Sequence, residues 1–344
     1  MPNYGILMYP SYNRVYFQSS KSLAVAELQA ANNRLSQPCL DISHSEIGGV
    51  DYIAFSTQEP LKENDIEVLS RLSFVYALFL VEEQDSTVLH PVRLNANDVF
   101  DDDLVTILKY SGKTNESFTK LLVNIGWLLC SSTNERIHLL DPVCGRGTTL
   151  FQGMIYGFDV SGVELDKMNV EQAVQFLNKY LKTKRYKHKM IKSKISENGK
   201  KLCETFKFET AGTKEDYKAG NALQVNFYRG DTLNTDKFIK KNSVDIIAGD
   251  LPYGIQHGSS TKTGSFTRNP ESLLEAALPH WHRVLKTGGS IVLSWNTFVL
   301  IKEQISDLLK AAGFEVQTGE PYDSGFVHRV DQAIIRDIIA AKKI

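Results

Sequence analysis

Two stretches of this chain put polar residues where an apolar strand should end. The first is "GDLPYGI" at 249–255, which follows the apolar run "VDIIAG" and precedes a Gly/Ser/Thr-rich loop. An exocyclic amine on a nucleobase is a poor nucleophile because its lone pair is delocalised into the ring. It needs acceptors that hold its N–H groups and favour a pyramidal nitrogen. Asp250 can accept one N–H, and the Leu251 carbonyl can accept another, with Pro252 limiting the backbone beside it. Tyr253 offers a ring face for stacking, worth roughly 1–3 kcal/mol in nucleic-acid sites. The plainer alternative is a β-turn whose Asp caps a helix.

The second stretch, "LLDPVCGRGTTL" at 139–150, reads as a strand, a glycine turn and a helix start. Gly145 and Gly147 permit a tight turn and a close backbone approach to a ligand, and Thr148 opens the helix. Cys144 reads as a small residue of that turn rather than a nucleophile, since an exocyclic amine needs no covalent Cys. An acid, Glu164, follows about 20 residues on, at the end of the next strand, where it can grip ribose hydroxyls. A dinucleotide fingerprint wants a third small residue, and position 150 is Leu. A carboxylate at Asp141 would also repel a pyrophosphate. S-adenosylmethionine (SAM) has an ammonium, a sulfonium and a ribose, and no phosphate. Asp141 at its methionine end, Glu164 on the ribose and Asp231 (with Thr232) by the adenine amine make one consistent set. For Asp231, in "RGDT", a turn or helix-cap acid is the alternative reading. A nicotinamide oxidoreductase is the rival that NAD binding would reveal.

The elements needed to hold these residues are legible as alternating strands and helices from 118 onward. "RIHLLD", "DVSGVELD", "VNFYRGD", "SVDIIAGD" and "SIVLSWN" read as strands, with helices between them, which implies a mainly parallel sheet covered on both faces. Four acids, Asp141, Glu164, Asp231 and Asp250, then sit at strand ends, where open α/β sheets bind ligands. Residues 180–220 are too long for one crossover and form a Lys-rich insertion. Lys182, Lys184, Arg185 and Lys187, together with Lys262 and Arg268 in the loop after 255, are candidates for RNA phosphate contacts; a solvated flexible loop is the alternative. Residues 1–100 read as a small α/β unit. "YGILMY" and "RVYF" are short strand candidates, "SLAVAELQAANNRL" is a helix, and a domain boundary falls near 100.

Motif order carries a resemblance. "KTNESFTKLLVNIGW", "DPVCGRGT", "GVELD", "GD", "DLPYG" and "HRVDQAIIRDII" together resemble the class I SAM-dependent RNA guanine-N2 methyltransferases, and within them the THUMP-type tRNA enzymes acting on guanosine 10. The resemblance covers roughly 105–344. It implies a Rossmann-like methyltransferase domain over 101–344 behind a ferredoxin-like domain over 1–100, a candidate for RNA binding. By matching position it implies that Asp250 to Tyr253 hold the target amine and that Asp141, Gly145, Gly147, Glu164 and Asp231 hold SAM. About 100 residues precede the catalytic part, room for the ferredoxin-like portion without a THUMP module. Ribosomal RNA guanine N2 and DNA adenine N6 are alternative substrates, and a non-catalytic RNA-binding module is the alternative of another class.

Composition bounds these readings. The chain has 344 residues, 42% hydrophobic and 23% charged, with formal net charge -1, so any nucleic-acid site is a local patch rather than a global field. No apolar run approaches a membrane span, and the N-terminus lacks a signal-peptide pattern. Cys39, Cys130, Cys144 and Cys203 are scattered with no C-x-x-C pair, which argues against a bound metal or a disulfide framework and for a reducing cytoplasm.

Overall fold

The computed structural model describes residues 1–9, 14–83, 86–95, 97–132, 136–252 and 270–344, with backbone alone at 14–19. Two compact units emerge. The first comprises Met1–Asn97, Asn296–Phe298 and Gln317–Ile338; the second comprises Asp98–Trp295, Val299–Val316 and Ile339–Ile344.

The first unit opens with β1 (Asn3–Met8), α1 (Arg14–Ala31), β2 (Leu40–Ile47), β3 (Val50–Ser56), α2 (Glu63–Ser70), β4 (Val75–Glu83) and β5 (Thr87–Val92). Its sheet order is β2-β3-β1-β4-β5, antiparallel throughout. Without the edge strand β5 this is the βαββαβ arrangement of a ferredoxin-like domain. The helix expected around Leu23 to Leu35 is present, and Leu23, Ala26, Leu28 and Ala31 are buried. "RVYF" is not a strand. It forms the start of α1, because both edges of β1 are already taken by β3 and β4 and no breaker separates Arg14 from the helical run.

The second unit contains α3 (Asp103–Thr106), α4 (Glu116–Leu129), β6 (His138–Asp141), α5 (Thr148–Ile155), β7 (Asp159–Glu164) and α6 (Lys167–Thr183). The insertion supplies β8 (His188–Glu197), β9 (Lys200–Thr210) and α7 (Lys214–Lys218). Then follow β10 (Leu223–Arg229), α8 (Thr235–Phe238), β11 (Val244–Asp250), α9 (Pro270–Val284), β12 (Leu285–Asn296), α10 (Lys302–Ala311) and β13 (Phe314–Val316). By residue range β14 (His328–Arg329) falls in the first unit, and β15 (Ile335–Lys343) passes from the first unit into the second at Ile339. The sheet order is β13-β15-β12-β11-β6-β7-β10-β9-β8. The central run from β10 to β12 is parallel. β6 and β11 carry almost only buried residues, as strands covered on both faces must. Chain order reverses between β6 and β11, so the crevice beyond their carboxyl ends is the expected ligand position. Asp141 and Asp250 are the last residues of those two strands.

Two parts of the chain differ from the sequence-based expectation. The Lys-rich insertion is a β-hairpin that widens the sheet, not a flexible loop. Asn198 (φ 51) and Gly199 (φ 74) form its two-residue turn, an Asn-Gly pair with both residues left-handed, which matches the twist of the strands it joins. Residues 317–338, read above as part of the second domain, cluster with the first unit. Within that unit Asn33 Nδ2 donates to the Tyr322 hydroxyl at 3.2 Å, Gly325 packs on Ala26, and the Thr297 N–H donates to the Ile335 carbonyl at 2.7 Å. Among the described residues no helix is long and apolar enough to cross a membrane.

Candidate cofactor and amine site

The turn after β6 is built from its own backbone. The Val143 N–H donates to Asp141 Oδ1 at 3.0 Å, Cys144 N–H to the Val163 carbonyl at 2.9 Å, Gly145 N–H to Glu164 Oε2 at 2.9 Å, and Gly147 N–H to the Cys144 carbonyl at 2.7 Å. Gly145 (φ 51) and Gly147 (φ 86) are left-handed, which any Cβ would oppose. At Gly147 a Cβ would also stand 3.2 Å from the Phe227 ring, whereas at Gly145 nothing lies within 4 Å. The open side of Gly145 therefore leaves room for a ligand against the backbone. Cys144 is buried against Gly162 of β7, and burial pushes its thiol well above the ordinary range, so it stays protonated and inert.

Three carboxylates meet at this edge. Asp141 is 3% exposed. Burial pushes its carboxyl up to about 7, opposed by hydrogen bonds from the Val143 N–H and the Thr149 hydroxyl and reinforced by the charges of Asp250 and Glu164. Glu164 is raised too, chiefly by burial, although it accepts from the Asp166 N–H at 2.7 Å as well as from Gly145. Asp250 is held at both oxygens. The Ser294 hydroxyl, in register with it on β12, donates to Oδ1, and the Thr114 hydroxyl donates to Oδ2 at 2.7 Å. Leu251 is buried and its N–H donates to the Ser294 carbonyl at 2.8 Å, so the chain leaves β11 on a fixed course.

Two neighbouring cavities follow this edge. The larger, ≈ 440 Å³, is lined by Asp141, Cys144, Gly145, Thr148, Asp250 and Leu251, among others. The smaller, ≈ 140 Å³, has Glu164, Asp231 and Thr232 on a wall of Val163, Leu165 and Leu273. Val143 and Pro252 line both. Gly147 lines neither and shapes the turn. Asp231 also caps the short helical turn after β10, accepting from the Leu233 N–H at 3.0 Å, and the Thr232 hydroxyl accepts from the Trp281 indole at 2.9 Å. Tyr253, Lys262 and Arg268 lie outside the described residues.

Sequence reasoning missed several lining residues. Tyr110, Ser111 and Thr114 come from the polar stretch between the boundary near 100 and the alternating elements from 118 onward, and Arg146, Thr149 and Asn169 stand beside the motif residues without being singled out by them. The Arg146 guanidinium lies 4.4 Å over the Tyr110 ring and its Nε donates to Asn169 Oδ1 at 3.2 Å. The Tyr110 and Thr148 hydroxyls are 3.2 Å apart. Conversely, the structure does not bring Lys182, Lys184, Arg185 and Lys187 to the cavities. They lie in the last turn of α6 (Lys182) or just after it, and its 17 residues rise about 25 Å away from the carboxyl edge where Asp166 caps it. Lys184 is also spent on Asp101 (3.1 Å) and Asp103.

The strand reversal, the glycine turn and the acids at the strand ends define a class I methyltransferase fold. The chain belongs to the UPF0020 family, the RMKL-like methyltransferase domain, whose model matches residues 125–308, more than half of the chain. It is a SAM-dependent methyltransferase. Similar solved structures include TrmN from Thermus thermophilus (14% identity, 86% of this chain and 57% of that one, TM-score 0.40). A TehB-like SAM-dependent methyltransferase from Corynebacterium glutamicum matches at 15% identity over 61% of this chain and 83% of that one, TM-score 0.35. Geranyl diphosphate C-methyltransferase from Streptomyces coelicolor matches at 11% identity, 73% and 92%, TM-score 0.36. None of the three fixes a substrate for this chain. A search of curated proteins finds no significant match. The residues present fit the cofactor: acids for an ammonium and ribose hydroxyls, an apolar wall for a base, and open space over Gly145.

Proposed function

We propose that this enzyme methylates the exocyclic N2 amine of a guanosine in RNA, with tRNA as the first substrate to test. The observation that carries the reading is Asp250-Leu251-Pro252 at the end of β11, with both Asp250 oxygens pinned, on the same cavity as Asp141. On this reading Asp141, Cys144, Gly145, Thr148, Glu164, Asp231 and Thr232 line the cofactor's place, with Gly147 shaping the turn. Bound SAM supplies an electrophilic methyl on a cationic sulfur. Asp250 and the Leu251 carbonyl hold the two N–H groups of the amine, and Tyr253 stacks on the base. Each Asp250 oxygen already accepts one hydroxyl, so the carboxylate plane is set before substrate arrives. On this reading the sulfur–methyl bond would break as the N–C bond forms, the neutral thioether would leave as S-adenosylhomocysteine, and the proton lost from nitrogen would go to Asp250 or to water.

The hairpin supports an RNA-facing role better than the lysines at the end of α6. β9 runs antiparallel to β10 and extends beyond Arg229, the last residue of that strand, so Lys201 and Lys200 overhang the carboxyl edge by about 10–14 Å, while Lys194, paired with Glu204, stands level with that edge. All three are exposed cations suited to phosphate contacts.

The test is methyl transfer from labelled SAM to total tRNA, ribosomal RNA and genomic DNA, followed by nucleoside analysis. N2-methylguanosine in tRNA, lost in Asp250→Ala while S-adenosylhomocysteine binding persists, is the expected result. N6-methyladenine in DNA, label confined to ribosomal RNA, or no transfer to any nucleic acid overturns the substrate.

A further inference from the structure

SAM carries three charges of two signs. Its ammonium and sulfonium suit the acids at the carboxyl edge, but its carboxylate needs a donor. The glycine turn has little to offer, because the N–H groups of Val143, Cys144, Gly145 and Gly147 are all committed within the protein. The described lining of the larger cavity contains a single cation, Arg146. Its position is the middle residue of G-R-G, where nothing in the turn requires a long side chain.

Arg146 is also oriented in advance. Its guanidinium stacks on Tyr110 at 4.4 Å, and Tyr110 is tied through its hydroxyl to Thr148. Its Nε is spent on Asn169 at 3.2 Å, while among the described residues nothing accepts from its two terminal nitrogens. That leaves the edge of the fork that pairs with a carboxylate through two parallel N–H bonds. Stacking and the Asn169 bond have already removed most of the rotamer freedom that such a contact would otherwise cost.

We propose that Arg146, oriented by Tyr110 and Asn169, binds the carboxylate of the cofactor's methionine moiety. The contact makes the pocket selective for the intact amino acid over adenosine thioethers that lack the carboxylate. The inference rests on the cofactor and is independent of the RNA reading, so its test uses no nucleic acid.

Calorimetry with two ligands decides it: S-adenosylhomocysteine, and the analogue in which hydrogen replaces the carboxylate. Wild type should prefer the intact ligand by about 10- to 100-fold. Arg146→Met should bring that ratio close to one by weakening the intact ligand alone. Arg146→Lys, which keeps the charge and loses the fork, should give an intermediate ratio, and serves if the Met variant melts early without ligand. A wild-type ratio near one overturns the proposal whatever the variants do. So does equal weakening of both ligands in Arg146→Met, which would mean that Arg146 only shapes the turn. Unchanged affinity for both ligands in Arg146→Met would also overturn it.

Discussion

Asp141→Asn should stabilise the ligand-free enzyme while removing its cofactor affinity. The carboxyl sits at about 7 in the folded protein against an ordinary value of 3.8. A carboxyl whose folded-state value lies above its unfolded value takes up a proton on folding, so its ionisation works against the fold. The penalty is absent below about pH 4, grows as pH rises, and is complete above about pH 7. The gap of about three pH units, at ~1.4 kcal/mol each, sets an upper bound near 4 kcal/mol, and 2–4 kcal/mol is a fair range. Asn is nearly isosteric, and its carbonyl can still accept from the Val143 N–H, which now donates at 3.0 Å. The variant should therefore melt about 3–6 °C higher than wild type at pH 8 and at nearly the same temperature at pH 4.

Binding should move the other way. A cofactor ammonium favours ionised Asp141, so wild-type affinity for S-adenosylhomocysteine should rise with pH through 7 and level off above it. Between about pH 6 and pH 8 the ionised fraction of a group titrating near 7 changes about tenfold, and so should the affinity. Asp141→Asn should bind at least about 100-fold more weakly, with no such pH dependence. Scanning fluorimetry without ligand and calorimetry with it provide both readings. A variant that melts lower at pH 8, or that binds with wild-type affinity and the same pH profile, would refute the assignment of the ammonium to Asp141.

Four further outcomes are expected. Gly147→Ala forces a Cβ into a left-handed residue (φ 86) and 3.2 Å from the Phe227 ring, so chemical denaturation should show a loss of about 1–3 kcal/mol. Thr114→Val and Ser294→Ala each remove one hydroxyl donor from Asp250, and single-turnover methyl transfer should slow about fivefold to twentyfold in each; an unchanged rate would mean that the carboxylate needs no positioning. Replacing Lys200 and Lys201 together by Glu should weaken RNA binding and lower the slope of log affinity against log salt by about 2, and an unchanged slope would remove the hairpin from the RNA surface. Lys343 is buried with its ammonium donating to Asn242 Oδ1 at 3.0 Å and to the His282 and Leu285 carbonyls at 2.7 Å, so Lys343→Met should cost about 2–4 kcal/mol by denaturant titration.

What could be read in advance follows from how local each signal is. Asp141 and Asp250 end apolar strands, and a buried strand must stop where a charge begins, so their place on the sheet edge was visible from pattern alone. The glycine turn was legible for the same reason: its conformation is a property of Gly145 and Gly147 themselves. Tyr110, Arg146 and Asn169 were not, because no spacing rule brings three residues from a loop, a turn and a helix around one guanidinium; packing alone does so. The hairpin carried a local signal that went unused. Asn198-Gly199 is a two-residue hairpin turn, but the lysines on either side masked strands whose buried residues, Cys203, Phe206 and Phe208 among them, belong mostly to β9. An edge strand needs only one buried neighbour, so β8 is free to be mostly exposed and rich in lysine, and lysines on an exposed edge also keep other strands from pairing with it. Charge that reads as disorder in isolation is here the surface of an ordered wing. That is why the basic residues near the active edge are Lys194, Lys200 and Lys201 rather than the earlier run at 182–187. The direction of β9 against β10 decides it, and composition carries no direction.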